Sequence, residues 1–406
     1  MSGVKTVSEA SELRGLTHLA IDAMAGLVDL SEAVHHAVEH PLGMIAPPMQ
    51  SPVRGITTLA YGSVRGVTRL VGAAIDVVLA QFAPLLGKES TWPRRDALLA
   101  VLNGILGDYL AASGSSLATP MSLRYGDQYL KPDTQAIAAA IPQATGKVVV
   151  LVHGLCMNDL QWTRQGQNYG TLLARDLGYT PIFLRYNSGC HISTNGRAFS
   201  DLLEALLKRW PVPIQELTII GHSLGGLLAR SACHYANLQS YEWPRRLKKL
   251  IFVGTPHHGA PLERGGNWVD IILGSNPFTA PFARLGKIRS AAITDLRHGN
   301  LLDEDWEGRD RFERSVNRPR HIALPKGVKC YAIAATTGKQ EGDLSDRLLG
   351  DGIVYLNSAL GRHESPALTL PFPDAMQWVG YGMNHVDLIN RSEVYEKIRQ
   401  WLAEDS

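Results

Sequence analysis

Hydrophobic positions along this chain follow two different periods, and the change comes near residue 120. Before it, apolar residues recur at helical spacing. The stretch 13–38 overlays 53–78 at a fixed offset of 40, so that Arg14/Arg54, Gly15/Gly55, Thr17/Thr57, Leu19/Leu59, Gly26/Gly66 and Leu30/Leu70 coincide. This predicts two similar amphipathic helices separated by a loop, because the intervening prolines lack an amide hydrogen and clash with a preceding helical turn. A third helix is predicted over 94–110, and the three make an amino-terminal helical region, 1–115. The repeated pair reads either as a scaffold packed on the rest of the chain or as an interfacial, lid-like element in peripheral contact with a membrane.

After residue 120 short β-branched runs alternate with helical stretches. Strands are predicted over 147–154, 180–187, 216–223, 247–256 and 328–338. Helices are predicted between and after them, over 168–177, 197–210, 224–238 and 392–404. In 197–210, Phe199, Leu202, Leu203, Leu206 and Trp210 share one helical face. Uniformly apolar strands alternating with helices imply a mostly parallel central sheet covered on both faces, an α/β domain over 120–406. The stretch from Ala260 to Pro325 is far longer than an ordinary connection. Its apolar content suits a helical cap over the carboxyl ends of the strands, with a purely structural insertion as the plainer alternative.

Composition narrows the possibilities. Of 406 residues, 45% are hydrophobic and 19% charged, which excludes wholesale disorder. A net charge of +2 supplies no global reason to bind nucleic acid. Cys156, Cys190, Cys233 and Cys330 are too scattered for a disulfide framework or a metal site and read as free thiols. The beginning of the sequence does not resemble a signal peptide, and no apolar run reaches the ~18 residues of a spanning helix. The expectation is therefore a soluble, cytoplasmic protein, with the amino-terminal helices as its one route to a membrane surface. The basic run Arg245, Arg246, Lys248 and Lys249 reads as a solvated strand edge.

The chemistry centres on GHSLGG, 221–226, where a G-x-S-x-G sequence stands between a predicted strand and a predicted helix. That setting forces a sharp turn, lifts the Ser223 hydroxyl above the sheet and aims the backbone N–H of Leu224 at developing negative charge. His153-Gly154-Leu155, after the strand at 148–152, offers a second such donor in the N–H of Leu155. His153 itself reads as a structural hydrogen-bonder.

These segments resemble the α/β-hydrolase superfamily, and within it bacterial lipases and esterases with a PGAP1-like lipase domain. The resemblance rests on VLVHG (150–154), IIGHSLGG (219–226), VGTPHHG (253–259), GDGIVYLNSA (350–359) and NHVDLIN (384–390), and covers about 120–405. It implies an acid and then a base after the nucleophile. Asp351 fits the acidic D-G-x-V segment, with Asp343, Asp346 and Asp387 as lesser choices. His385, in a glycine-bearing loop before the last helix, fits the base, with His363 in reserve. The implied oxyanion hole is formed by Leu155 and Leu224. His257 and His258, with Asp270, do not make a metal site, since adjacent side chains diverge. Position alone puts Tyr186, Asn187 and His191 at the pocket wall. The expected function is a serine esterase or lipase acting on a small-molecule or lipid ester through an acyl-enzyme, with no cofactor and no metal. An acyltransferase on the same fold, or a membrane-associated interaction protein with a vestigial site, are the alternatives.

Overall fold

The computed structural model describes residues 95–164, 166–260, 290–308, 322–340 and 350–404. The repeat at 13–78 and most of the cap segment, 261–289 and 309–321, lie outside them. Helix α1 (Arg95–Ala112) precedes a hairpin of β1 (Ser122–Tyr125) and β2 (Gln128–Tyr129), then helix α2 (Thr134–Ala140). Strand β3 (Lys147–Val152) leads through a minor pair, β4 (Thr163–Arg164) and β5 (Gln167–Asn168), to α3 (Tyr169–Leu177) and β6 (Thr180–Arg185). Next come α4 (Ile192–Arg209), β7 (Glu216–His222), α5 (Leu224–Leu238) and β8 (Leu247–Val253). The chain ends with α6 (Ala291–His298), β9 (Lys329–Thr336), β10 (Gln377–Tyr381) and α7 (Ser392–Ala403).

Among the described residues eight strands form one sheet in the order β2-β1-β6-β3-β7-β8-β9-β10. The six from β6 to β10 run parallel, and β1 is antiparallel to both of its neighbours. Strand pleating explains why the apolar runs are continuous. Val148, Val150 and Val152 face the layer of Phe199, Leu203 and Leu228, whereas Val149 and Leu151 face Trp162, Leu173, Ile398 and Trp401. Both sides of each central strand are therefore buried. From β3 the chain moves on to β6 on one side, while from β7 it moves to β8 on the other. Adjacent strands whose connections part in this way open a crevice at their carboxyl ends, the place where such sheets bind ligands. The sequence motifs at 153–155 and 221–226 stand on these two strands.

Some elements differ from the sequence-based expectation. The compact unit that holds the sheet starts at Leu99, so α1 from that residue packs with the sheet although the sequence groups it with 1–115. Helix α4 starts at Ile192 rather than 197, because its polar first turns are buried: Ser193, Asn195 and Gly196 face inward. Of the basic run, Lys249 is not a solvated side chain. It is 3% exposed, its Nζ donates to Leu402 O at 3.0 Å and it lies 3.8 Å from a Glu216 oxygen, while Arg245, Arg246 and Lys248 are exposed. No helix among the described residues is long and apolar enough to cross a membrane.

Candidate active site

Strand β7 ends at His222 and α5 begins at Leu224, leaving Ser223 alone at the corner with φ 53° and ψ −122°. A side-chain-bearing residue holds such a backbone only at a cost of roughly 1–3 kcal/mol, and only where its surroundings enforce it. Here the Ser223 N–H donates to Val253 O at 2.8 Å, and the Ser223 carbonyl accepts from Gly226 N at 3.1 Å. The first turn of α5 is pressed onto the end of β3. A Cβ at Gly225 would stand 2.4 Å from Val152 O and 2.7 Å from His153 O, which is why the motif admits only glycine there.

Asp351 follows β9 and His385 follows β10, and the fold brings them together. His385 Nδ1–H donates to Asp351 Oδ2 at 2.7 Å, and His385 N donates to Asp351 O at 3.1 Å. Asp351 Oδ1 accepts from Ile353 N at 2.9 Å and Val354 N at 2.8 Å, so the wholly buried carboxylate is held at both oxygens. With its proton on Nδ1, the neutral imidazole carries its lone pair on Nε2, a buried atom with no hydrogen-bond partner among the described residues. The ring lies against Gly254, where a Cβ would be 3.1 Å from His385 Cε1. Gly254 directly follows Val253, the residue whose carbonyl fixes the Ser223 amide.

The loop after β3 closes the other side. A Cβ at Gly154 would lie 3.1 Å from Ser223 Cβ and 3.2 Å from His222 Nδ1. Leu155 and Leu224 are both buried, and neither backbone N–H donates a hydrogen bond within the described residues. The loop is anchored repeatedly. His153 stacks on Tyr186 at 4.3 Å, Tyr186 Oη–H donates to His153 O at 2.8 Å, and Cys156 N donates to Ser188 Oγ at 3.1 Å. Burial lowers the His153 pKa to about 4 and pushes the Cys156 thiol up to about 12, so the one is a neutral imidazole and the other an unreactive thiol.

The remaining sequence candidates fall elsewhere. Asp343, Asp346 and Asp270 lie outside the described residues. Asp387 accepts from Asn384 N at 3.0 Å and sits 4.0 Å from Arg391 instead of turning to His385. His363 is exposed and its Nδ1 accepts from Ser365 N at 2.9 Å. His257 faces Arg230 Nη1 at 3.4 Å, while His258 Nε2–H donates to Gly361 O at 3.0 Å, so the neighbours diverge. Among the described residues no group of three or more His, Cys, Asp or Glu side chains is arranged to hold a metal ion. Tyr186, Asn187 and His191 are committed to structure: Asn187 Nδ2 donates to Gly107 O at 2.8 Å, and His191 Nδ1–H donates to Asp295 Oδ2 at 3.0 Å beneath Trp306.

Two features escape a reading of spacing and motif. His222, inside the G-x-S-x-G sequence itself, donates from Nε2 to His385 O at 3.1 Å, with ring centroids 4.8 Å apart. Burial and the His385 ring hold its pKa well below 6.5. Asp159, downstream of the β3 loop, is gripped by Arg185 Nε from β6 and by Arg124 Nη1 from β1 at 3.1 Å, all three nearly buried. The three lie in separate elements, and no sequence spacing announces the cluster.

A mostly parallel sheet with a strained serine corner after β7 and an acid–histidine pair after β9 and β10 is the architecture of the α/β-hydrolase fold. Residues 143–324 match the PGAP1-like alpha/beta domain family. No curated protein sequence matches it. The fold is similar to the mature form of Bacillus licheniformis lipase BlEst2, at 19% identity and a TM-score of 0.40, over 63% of this chain and 91% of that one. It is also similar to a lipase-esterase related protein from Clostridium acetobutylicum, at 14% identity and a TM-score of 0.36 over 64% and 95% of the two chains. A third similar structure is Pyrococcus furiosus esterase Pf2001, at 14% identity and a TM-score of 0.36 over 64% and 80%.

Proposed function

We propose that the protein is a serine carboxylic-ester hydrolase that cleaves acyl esters through a covalent acyl-enzyme. The observation that carries this reading is the buried His385–Asp351 pair, at 2.7 Å, presenting an Nε2 without a hydrogen-bond partner among the described residues beside the end of the strand that holds Ser223 at φ 53°. In this reading Ser223 Oγ attacks the ester carbonyl while His385 Nε2 takes its proton. Asp351 keeps the proton on Nδ1 and stabilises the imidazolium that forms. The N–H groups of Leu155 and Leu224 receive the oxyanion, each contributing roughly 3 kcal/mol when aligned. The imidazolium then protonates the departing alcohol, and water activated by His385 releases the acid. A serine–histidine bond absent before substrate binds is ordinary for such sites.

Turnover of p-nitrophenyl acyl esters of increasing chain length, with fluorophosphonate labelling in parallel, tests the proposal. Wild-type protein is expected to hydrolyse at least the short esters and to be labelled. Ser223→Ala, with an unchanged circular dichroism spectrum, is expected to lose both. Labelling that survives in Ser223→Ala would remove Ser223 from its role.

A further inference from the structure

Helix α1 precedes the family-matched segment, yet it lies directly on the loop that carries Leu155. Its two glycines come against both backbone and side-chain atoms of the neighbouring loops. A Cβ at Gly104 would stand 2.3 Å from Cys156 Sγ, 2.7 Å from Cys156 N and 2.8 Å from Cys156 Cα. One turn on, a Cβ at Gly107 would stand 1.9 Å from Asn187 Oδ1 and 2.9 Å from Gly189 Cα, in the loop after β6. Hydrogen bonds fix the helix at the same two points: Asn187 Nδ2 donates to Gly107 O at 2.8 Å, and Ser290 Oγ donates to Gly104 O at 2.8 Å.

Cys156 is where this support has an effect. It holds φ at 58° without being glycine, a conformation that relaxes unless its neighbours forbid it. From one side Ser188 Oγ accepts its N–H at 3.1 Å, and from the other Gly104 blocks any outward swing. The Leu155 N–H belongs to the Gly154–Leu155 peptide, one peptide before the Leu155–Cys156 bond, so anchoring Cys156 fixes the following end of the short loop in which that N–H must hold its direction. An oxyanion donor contributes only when it is aimed in advance, and a displacement near 1 Å is enough to forfeit much of its effect.

We propose that α1 is a positioning element for catalysis: through Gly104 it braces Cys156 and so aims the Leu155 N–H at the oxyanion. The inference rests on the reading of this site as an ester hydrolase with Leu155 as a donor. Its test compares Gly104→Ala, Cys156→Ala, their double variant and, as a control on the exposed end of the helix, Ala111→Ser, all in the full chain. Each is assayed for ester turnover and for inhibition by an aryl trifluoromethyl ketone, whose serine adduct carries an oxyanion in the same place.

Gly104→Ala is expected to lower kcat roughly 10- to 100-fold with little change in KM, and to raise the ketone inhibition constant by a similar factor. Removing Sγ in the double variant relieves only one of the three close contacts and is expected to recover only a small part of that loss, because those with Cys156 N and Cα remain, whereas Ala111→Ser leaves kcat unchanged. Should Gly104→Ala not fold, Ser290→Ala, which deletes the bond to Gly104 O without adding bulk, is expected to shift kcat and the ketone constant together by a few-fold. A folded Gly104→Ala with wild-type kcat, or a loss matched by KM and not by the ketone, overturns the brace while leaving the hydrolase reading intact. A wild type inert to esters and to the ketone overturns both.

Discussion

In the proposed reaction Asp351 is the orienting acid, and its own hydrogen bonds support that role. Both of its oxygens are occupied, one by two backbone amides and the other by His385 Nδ1. A carboxylate held in this way fixes the imidazole ring and its tautomer together. Asp351→Asn keeps the size but offers an amide that can donate, which favours the proton on the wrong ring nitrogen. It is expected to lower kcat by about 10⁴-fold with KM nearly unchanged and melting temperature little affected, as steady-state kinetics and calorimetry would measure. Single residues were also the scale most open to a reading of the sequence. Ser223 and its glycine neighbour declare themselves by motif, because the turn tolerates nothing else. Asp351 and His385 needed the resemblance to find them, since nothing in their own spacing ties residue 351 to residue 385.

Among the secondary-structure elements, burial decided what could be read. The central strands and α5 stand out because both their faces are apolar. The hairpin β1–β2 and the edge strand β10 did not, for Arg124, Tyr129 and Trp378 give them no uniform apolar run. From sequence α4 starts at 197 and not at Ile192 for the same reason, its first turns being polar but inward-facing. The cluster of Arg124, Asp159 and Arg185 compensates for those polar strand positions and pins the segment after β3 to β1 and β6. Tyr129 stacks over the cluster, its ring centroid 4.8 Å from the Arg124 guanidinium carbon. Asp159→Ala would leave two guanidinium groups buried without their shared carboxylate. It is expected to cost about 3–5 kcal/mol in urea unfolding, whereas replacing all three residues with apolar ones of similar volume costs much less.

For the molecule as a whole, buried imidazoles set the response to acid. His153 titrates at about 4 in the folded protein, and burial also lowers His222 and His257 well below 6.5. In the unfolded chain each takes up a proton near pH 6.5. Between about 6.5 and 4 the unfolded state therefore binds protons that the folded state refuses. Stability is full above this window and is lost as pH falls through it, by about 3 kcal/mol for His153 alone. Urea midpoints measured from pH 7.5 down to 4.5 are expected to fall steadily, and His153→Gln is expected to make that slope shallower by about one proton. An identical slope in the variant would mean that His153 is not the neutral, buried group described above.

The amine of Lys249 has a further bearing on how the polypeptide can be shortened. It rises from β8 into the interior and finds an acceptor in the carbonyl of Leu402, in the last turn of α7. Truncation that removes residue 402 takes that carbonyl away from an amine the sheet has already enclosed, so it would loosen a strand that lies next to β7, which leads into Ser223.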